Sequence, residues 1–354
     1  MYTNKNIKRT ELSELGEFGL IKRLTENIPI KNTSTLKSVG DDAAVIQSGG
    51  GEILVSTDLL IEGIHFDLSY TPLVHLGYKA AVVNFSDIAA MNGVPEQITV
   101  SIAISNRFPL EAIEELYEGI HLACKKYKVD LVGGDTSSSM SGLFISITVI
   151  GRANKKDITY RNGAEINDLI YVSGDLGAAY MGLLLLKREK EVFKDNPSIQ
   201  PELVGHDYIL ERQLKPEART NIVSLLKEIN IKPTAMIDIS DGLASEIIHI
   251  CSDSKKGCCL YEEKLPIDEC TIMMAEEFKI DPAIAALSGG EDYELLFTIK
   301  QQDFEKIKSV VEVTPIGHIT EPEGGMNFIT RSGQSVPITA QGWDAFLNKE
   351  YNEK

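Results

Sequence analysis

Six short acidic motifs are spread along this chain, most of them beside glycine or a hydroxyl side chain at the end of an apolar run. They are Gly40-Asp41-Asp42, Ser56-Thr57-Asp58, Ser86-Asp87, Gly133-Gly134-Asp135-Thr136, Asp238-Ile239-Ser240-Asp241-Gly242 and Gly289-Gly290-Glu291-Asp292. That context predicts carboxylates on tight turns at the edges of a core. Carboxylates gathered in one place must be neutralised. Divalent cations do this, and phosphates are their usual third party. The six histidines show no His-x-x-x-His spacing and the five cysteines no Cys-x-x-Cys pair, so oxygen-only ligation points to magnesium rather than zinc.

Asp87 is the sharpest single residue. Its segment, Ala80 to Met91, is apolar nearly all round and reads as a buried helix. A buried carboxylate costs on the order of several kcal/mol unless it is paired or bound to metal. A bond to a neighbouring helix terminus and a metal contact are both open, and the surplus of other acids favours metal. Ser56-Thr57-Asp58 interrupts an apolar strand with three oxygen-bearing side chains, a pattern that suits a hard cation. Asp41-Asp42, by contrast, reads equally as a solvated turn or a helix cap. In Leu131 to Thr136 a double glycine lets backbone amides approach a phosphate, though a plain turn has comparable weight. Asp238 to Leu243 ends a strand and opens a helix, a favoured phosphate site. Gly174-Asp175-Leu176-Gly177 mimics a dinucleotide fingerprint only weakly, and no Walker or protein-kinase catalytic-loop motif is present.

The elements that must position these groups alternate. Residues 53–61, 97–105, 130–133, 143–151, 169–173, 235–239 and 293–299 read as strands. Residues 72–91, 110–127, 178–186, 216–229 and 242–251 read as helices, with the charged 187–194 as a surface loop or helix end. The polar segment 154–167 marks a domain boundary in a chain of 354 residues, and the fold class is α/β or α+β. The 43% hydrophobic and 25% charged content is that of an ordinary globular protein. A net charge of −17 argues against nucleic-acid and anionic-membrane partners. The odd cysteine count, the polar first ten residues and the lack of a long apolar stretch fit a cytoplasmic protein.

Read in order, these stretches resemble the thiamine-monophosphate kinases. The strings are Val39-Gly40-Asp41-Asp42-Ala43-Ala44, Ser56-Thr57-Asp58 with Gly63-Ile64-His65-Phe66, and Asn84 through Met91. They continue with Gly133-Gly134-Asp135-Thr136, Arg161-Asn162-Gly163-Ala164, Ile237 through Leu243, and Leu287 through Leu295. The Ser-Gly-Gly-Glu-Asp-Tyr-Glu-Leu string at 288–295 is the most specific of them. The resemblance implies phosphorylation of thiamine monophosphate by ATP with Mg2+. It implies an N-terminal α/β domain, 1–152, that binds metal and nucleotide and pairs through its sheet in a homodimer. A C-terminal α+β domain, 153–354, would bind nucleotide and substrate. It also implies magnesium contacts from Asp42, Ser56, Thr57, Asp58, Asp87, Asp135, Asp238 and Asp241. Nucleotide contacts would come from Tyr117, Gly134, Asp135, Arg161 and Ser240, and substrate contacts from His65, Glu291 and Trp343. Asp58, Asp87, Asp135 and Arg161 would carry the transfer itself.

The chemistry suits these residues. The attacking phosphate oxygen is already anionic, so no general base is required, and neutralising charge is the main task. Arg161 offers a planar donor for the transferred group. Trp343, the only tryptophan, offers a face for a cationic thiazolium or simply a core side chain. Other readings are a superfamily synthetase of the purine-pathway, selenophosphate or hydrogenase-maturation type, or a non-catalytic cation- or nucleotide-binding protein. The first cysteine is Cys124, late for a selenophosphate synthetase. The last residues are Tyr351-Asn352-Glu353-Lys354, with no terminal cysteine of the hydrogenase-maturation kind. No EF-hand loop is present.

Overall fold

A computed structural model describes residues 15–26 and 29–340. Trp343 and the N-terminal tail before Leu15 lie outside the described residues. After a first helix, α1 (Gly16–Thr25), the chain builds β1 (Thr35–Lys37), β2 (Ala44–Ser48) and β3 (Gly51–Ile61). Then come α2 (Leu73–Ala90), β4 (Val94–Ile104), α3 (Leu110–Tyr127), β5 (Asp130–Ser138) and β6 (Leu143–Ala153). These six strands form one sheet in the order β1-β2-β3-β6-β4-β5, antiparallel except for the parallel β4–β5 pair.

α2 is the element that places the site. Pro72, extended at φ −61°, caps its start, where a missing N–H costs nothing. From Leu76 to Met91 every residue is buried except Asp87. The apolar helix thus opens to solvent at the one carboxylate it carries. α3 covers it with the face Leu116, Gly119, Ile120, Ala123 and Cys124, spaced as one helical stripe demands. The two helices touch backbone to backbone: a Cβ on Gly77 would lie 1.9 Å from the Leu116 carbonyl oxygen, and one on Gly119 equally close to that of Val74.

The second half adds β7 (Leu169–Ser173), α4 (Ala178–Asp195), α5 (Asp207–Leu214), α6 (Thr220–Glu228), β8 (Ala235–Asp238), α7 (Leu243–Ser254) and β9 (Gly257–Tyr261). It closes with α8 (Glu269–Glu277), α9 (Pro282–Ser288), β10 (Leu295–Ile299), α10 (Phe304–Ile307), β11 (Val313–Thr320), β12 (Met326–Ile329) and β13 (Ser335–Pro337). Its seven strands run β13-β12-β9-β11-β7-β10-β8. The chain is therefore mixed α/β with two sheets. Among the described residues, no helix is long and apolar enough to cross a membrane.

Three local expectations are corrected. The helix expected over 178–186 runs on to Asp195, so the charges of 187–194 form its C-terminal end rather than a loop. The helix expected over 216–229 begins only at Thr220, because Glu217 is held by the Tyr78, Tyr127 and Lys126 side chains of the first half. The unforeseen α5 precedes it. β5 does not stop at its double glycine but continues to Ser138, since Gly134 packs flat on β4: a Cβ there would lie 1.9 Å from the Val100 carbonyl oxygen.

Candidate functional site

Three carboxylates meet where the halves join. Oxygen atoms of Asp42, Asp87 and Asp238 lie within 4.8 Å of one another. Asp42 stands on the turn before β2, Asp87 on the open spot of α2, and Asp238 at the end of β8, so both halves contribute. Each acid has a polar neighbour. Ser56 donates to Asp87 at 2.6 Å and Ser86 to Asp238 at 2.7 Å. Arg161, in the connection between the sheets, donates Nε to Asp42 Oδ2 at 3.1 Å and Nη2 to its Oδ1, a two-pronged fork.

These partners do not balance the charge. Burial, then the Asp58 and Asp238 carboxylates, push Asp87 well above the usual range. Burial and Asp42 push Asp238 up to about 7. Burial also lifts Asp58 to about 6, and burial with the Asp42 charge lifts Asp41 to about 6. Acids so crowded want either protons or a cation. Buried carboxylates with hydroxyl neighbours make a hard-oxygen donor set of the kind Mg2+ takes. The residues fit the metal.

Strand alternation sorts the Ser56-Thr57-Asp58 group. Ser56 faces α2, and the Asp58 N–H is held by Asn84 Oδ1 at 3.1 Å. Thr57 turns to the other face, where its hydroxyl donates to the Ile147 carbonyl at 3.1 Å. Its side chain does not join the trio. Asp241 and Ser240 sit on the loop after β8. Glu246 of α7 gathers that loop by accepting the backbone N–H of Ser240 at 3.1 Å and of Asp241 at 2.8 Å.

Asp135 stands elsewhere. Across the sheet, Asp58 pairs with Ile147, Ile147 with Val100 and Val100 with Gly134. Three strand spacings put Gly134 roughly 14 Å from β3. There Tyr117, Gly133, Gly134 and Asp135 help line a cavity of about 350 Å³, and Asp135 is exposed.

The turn 289–294 is stitched onto the Asp238 loop. The Glu291 N–H donates to the Ser240 carbonyl at 2.6 Å and that of Tyr293 to the Ile239 carbonyl at 2.9 Å. Glu291 and Tyr293 both hold positive φ, 58° and 51°, which is costly for side chains of that size. Buried ions hold the turn in this shape. Glu294 takes Arg212 at 2.9 Å and a fork from Arg219, and Asp292 accepts the Gly177 N–H at 2.9 Å. Glu291 itself reaches the seam, where Lys79 of α2 meets it at 2.9 Å. His65 lies near enough to feel the Glu291 charge, but burial dominates and pushes its imidazole below the ordinary range.

Asn84, Lys79 and Glu246 were not singled out from the sequence. For the first two the signal was present: a polar side chain in an apolar helix is the argument that picked out Asp87. Glu246 had only its place in the first turn of a helix after an acidic loop.

Residues 40–153 match the family described as AIR synthase related protein, N-terminal domain. The thiamine-monophosphate kinase of Buchnera aphidicola subsp. Schizaphis graminum is 36% identical over 343 residues, covering 94% of this chain and 100% of that protein. The enzyme of that name from Bacillus subtilis is 34% identical, over 94% of this chain and all of its own. Among solved structures, AaThiL complexed with AMPPCP and TMP superposes with a TM-score of 0.80 at 31% identity, covering 96% of this chain and 100% of that one. A HypE–ATP complex shares the fold alone, at 18% identity and a TM-score of 0.67.

Proposed function

The chain belongs to the thiamine-monophosphate kinases, and from that premise we propose how its side chains perform the reaction. The enzyme transfers the γ-phosphoryl group of ATP to the phosphate of thiamine monophosphate, forming thiamine diphosphate. The single observation that carries the reading is the Asp42–Asp87–Asp238 trio drawn from both halves.

Asp42, Asp87 and Asp238 would hold Mg2+, with Asp58, Asp241 and the Ser56 hydroxyl completing its surroundings. Bound there, the cation supplies charge neutralisation and alignment of the attacking and leaving oxygens. Arg161, anchored on Asp42, steadies charge on the phosphoryl group in flight. Ser240 presents its loop to the nucleotide, and Tyr117, Gly134 and Asp135 serve it from the edge cavity. His65 and Glu291 read the substrate. Its phosphate oxygen attacks as an anion, so no side chain need take a proton first.

We assign 1–152 to metal, nucleotide and dimer contacts and 153–354 to nucleotide and substrate. Support for a homodimer comes from the outward face of the first sheet. Leu59, Val94 and Val132 are each more than half exposed there, beside half-buried Val55, Phe144 and Ile150. The free thiols of Cys124, Cys251, Cys258, Cys259 and Cys270 support a reducing, cytoplasmic setting.

The test is direct. Purified protein with ATP, Mg2+ and thiamine monophosphate should form thiamine diphosphate, and chelation of the metal should stop it. Absence of product from folded, magnesium-loaded protein would overturn the reading.

A further inference from the structure

We propose that Lys79 determines substrate specificity: its ammonium, held by Glu291 and the Gln213 carbonyl, gives its remaining N–H to the aminopyrimidine ring of thiamine monophosphate. This deepens the kinase reading and rests on it. Lys79 is 5% exposed and is the lone cation in the buried run of α2. A buried ammonium is costly unless paired, and this one is paired across the seam. It meets Glu291 Oε1 at 2.9 Å and donates to the Gln213 carbonyl at 2.9 Å. An ammonium has three N–H groups, so one is unspent.

Gln213 completes the pattern. Its Nε2 donates to Glu291 Oε2 at 2.7 Å, which fixes the amide's orientation. Its Oε1 is buried with no partner. The cluster therefore leaves one donor and one acceptor open beside a carboxylate. An aminopyrimidine edge offers the complement, a ring nitrogen that accepts and an amino group that donates. Buried polar groups left unpaired reject ligands that lack their partner, which is how such a pair discriminates.

Position selects that end of the substrate. Lys79 precedes Ser86 by seven residues, about 10 Å along the helix axis. Ser86 binds Asp238 of the trio, where the accepting phosphate must lie. The heteroaromatic end is then what extends toward Lys79. Glu291 and Tyr293 hold positive φ, and the Glu291 carboxylate meets Lys79 across the seam.

The experiment is steady-state kinetics with magnesium ATP and two acceptors: thiamine monophosphate, and the analogue in which a carbonyl oxygen replaces the pyrimidine amino group. Lys79→Met should raise KM for thiamine monophosphate at least about tenfold, with KM for ATP unchanged and kcat within about threefold. Wild type should prefer the amino substrate, and Lys79→Met should lose that preference. Lys79→Arg should restore part of it. Gln213→Leu, which leaves the ammonium in place, should lose the preference too and serves if Lys79→Met does not fold. An unchanged preference in folded variants would overturn the proposal, as would a rise in KM for ATP alone. A wild type that forms no thiamine diphosphate would instead fail the kinase reading itself.

Discussion

The seam between the two sheets and the outer edge of the first sheet both carry aspartates from the acidic motifs, yet they hold them differently. At the seam, Asp87 and Asp238 are crowded by other carboxylates where the two halves meet, so ionisation there is resisted. At the edge, Asp135 is exposed on β5 beside an open cavity. The same residue type is crowded among other carboxylates in one place and open to solvent in the other. The difference comes from what packs over each, which a motif alone does not state.

The largest expected effect separates the two regions outright. Asp87→Asn or Asp238→Asn should lower kcat/KM at least about 10³-fold while the protein stays folded, because the charge proposed to anchor the metal is gone. Asp135→Asn should cost much less, about tenfold. Equal losses at both places, measured on circular-dichroism-verified proteins, would erase the distinction.

Arg161→Lys should follow, with a loss of about 10–100-fold, since a point charge cannot reproduce the fork on Asp42. Steady-state rates at saturating ATP would show it. A lysine variant at wild-type speed would mean that the fork only ties the connection to the first sheet.

Acidity tests the seam in a different way. Without metal, Asp238 ionises near pH 7 when folded and near its ordinary value when unfolded. The folded state then binds more protons between about pH 4 and 7, so stability falls as pH rises through that window. Denaturant melts in chelator, compared between wild type and Asp238→Asn, should show a shallower slope in the variant. Added Mg2+ should flatten the wild-type slope as well.

The smallest effect is expected from Glu246→Ala, which frees the Ser240–Asp241 backbone. A rise in KM for ATP of about three- to tenfold is expected, with Glu246→Gln recovering most of it through the amide oxygen. A variant that changes kcat alone would break the view of this loop as a nucleotide contact.

Much of the seam was legible before any coordinates. The period and apolarity of α2, with one acid in it, announced a buried carboxylate in need of a partner. Ser56, Thr57 and Asp58 group by their chemistry, whereas the strand turns Thr57 away from the other two. What could not be read was long-range. Nothing local says that Glu217 would be claimed by Tyr78 and Tyr127 and so delay a helix, or that Gly134 continues a strand because Val100 lies against it. Those outcomes depend on residues more than 30 positions away.

The trio is shared between two separately wound pieces of chain, and this bears on inhibition. A small molecule need not resemble ATP or thiamine to silence the enzyme. A wedge that parts α2 from β8 by a little more than a bond length would pull Asp238 away from Asp42 and Asp87 and dismantle the seat we propose for the metal. The vulnerable point of the molecule is therefore a joint, and its fitness as a catalyst is a matter of mechanical tolerance between two parts.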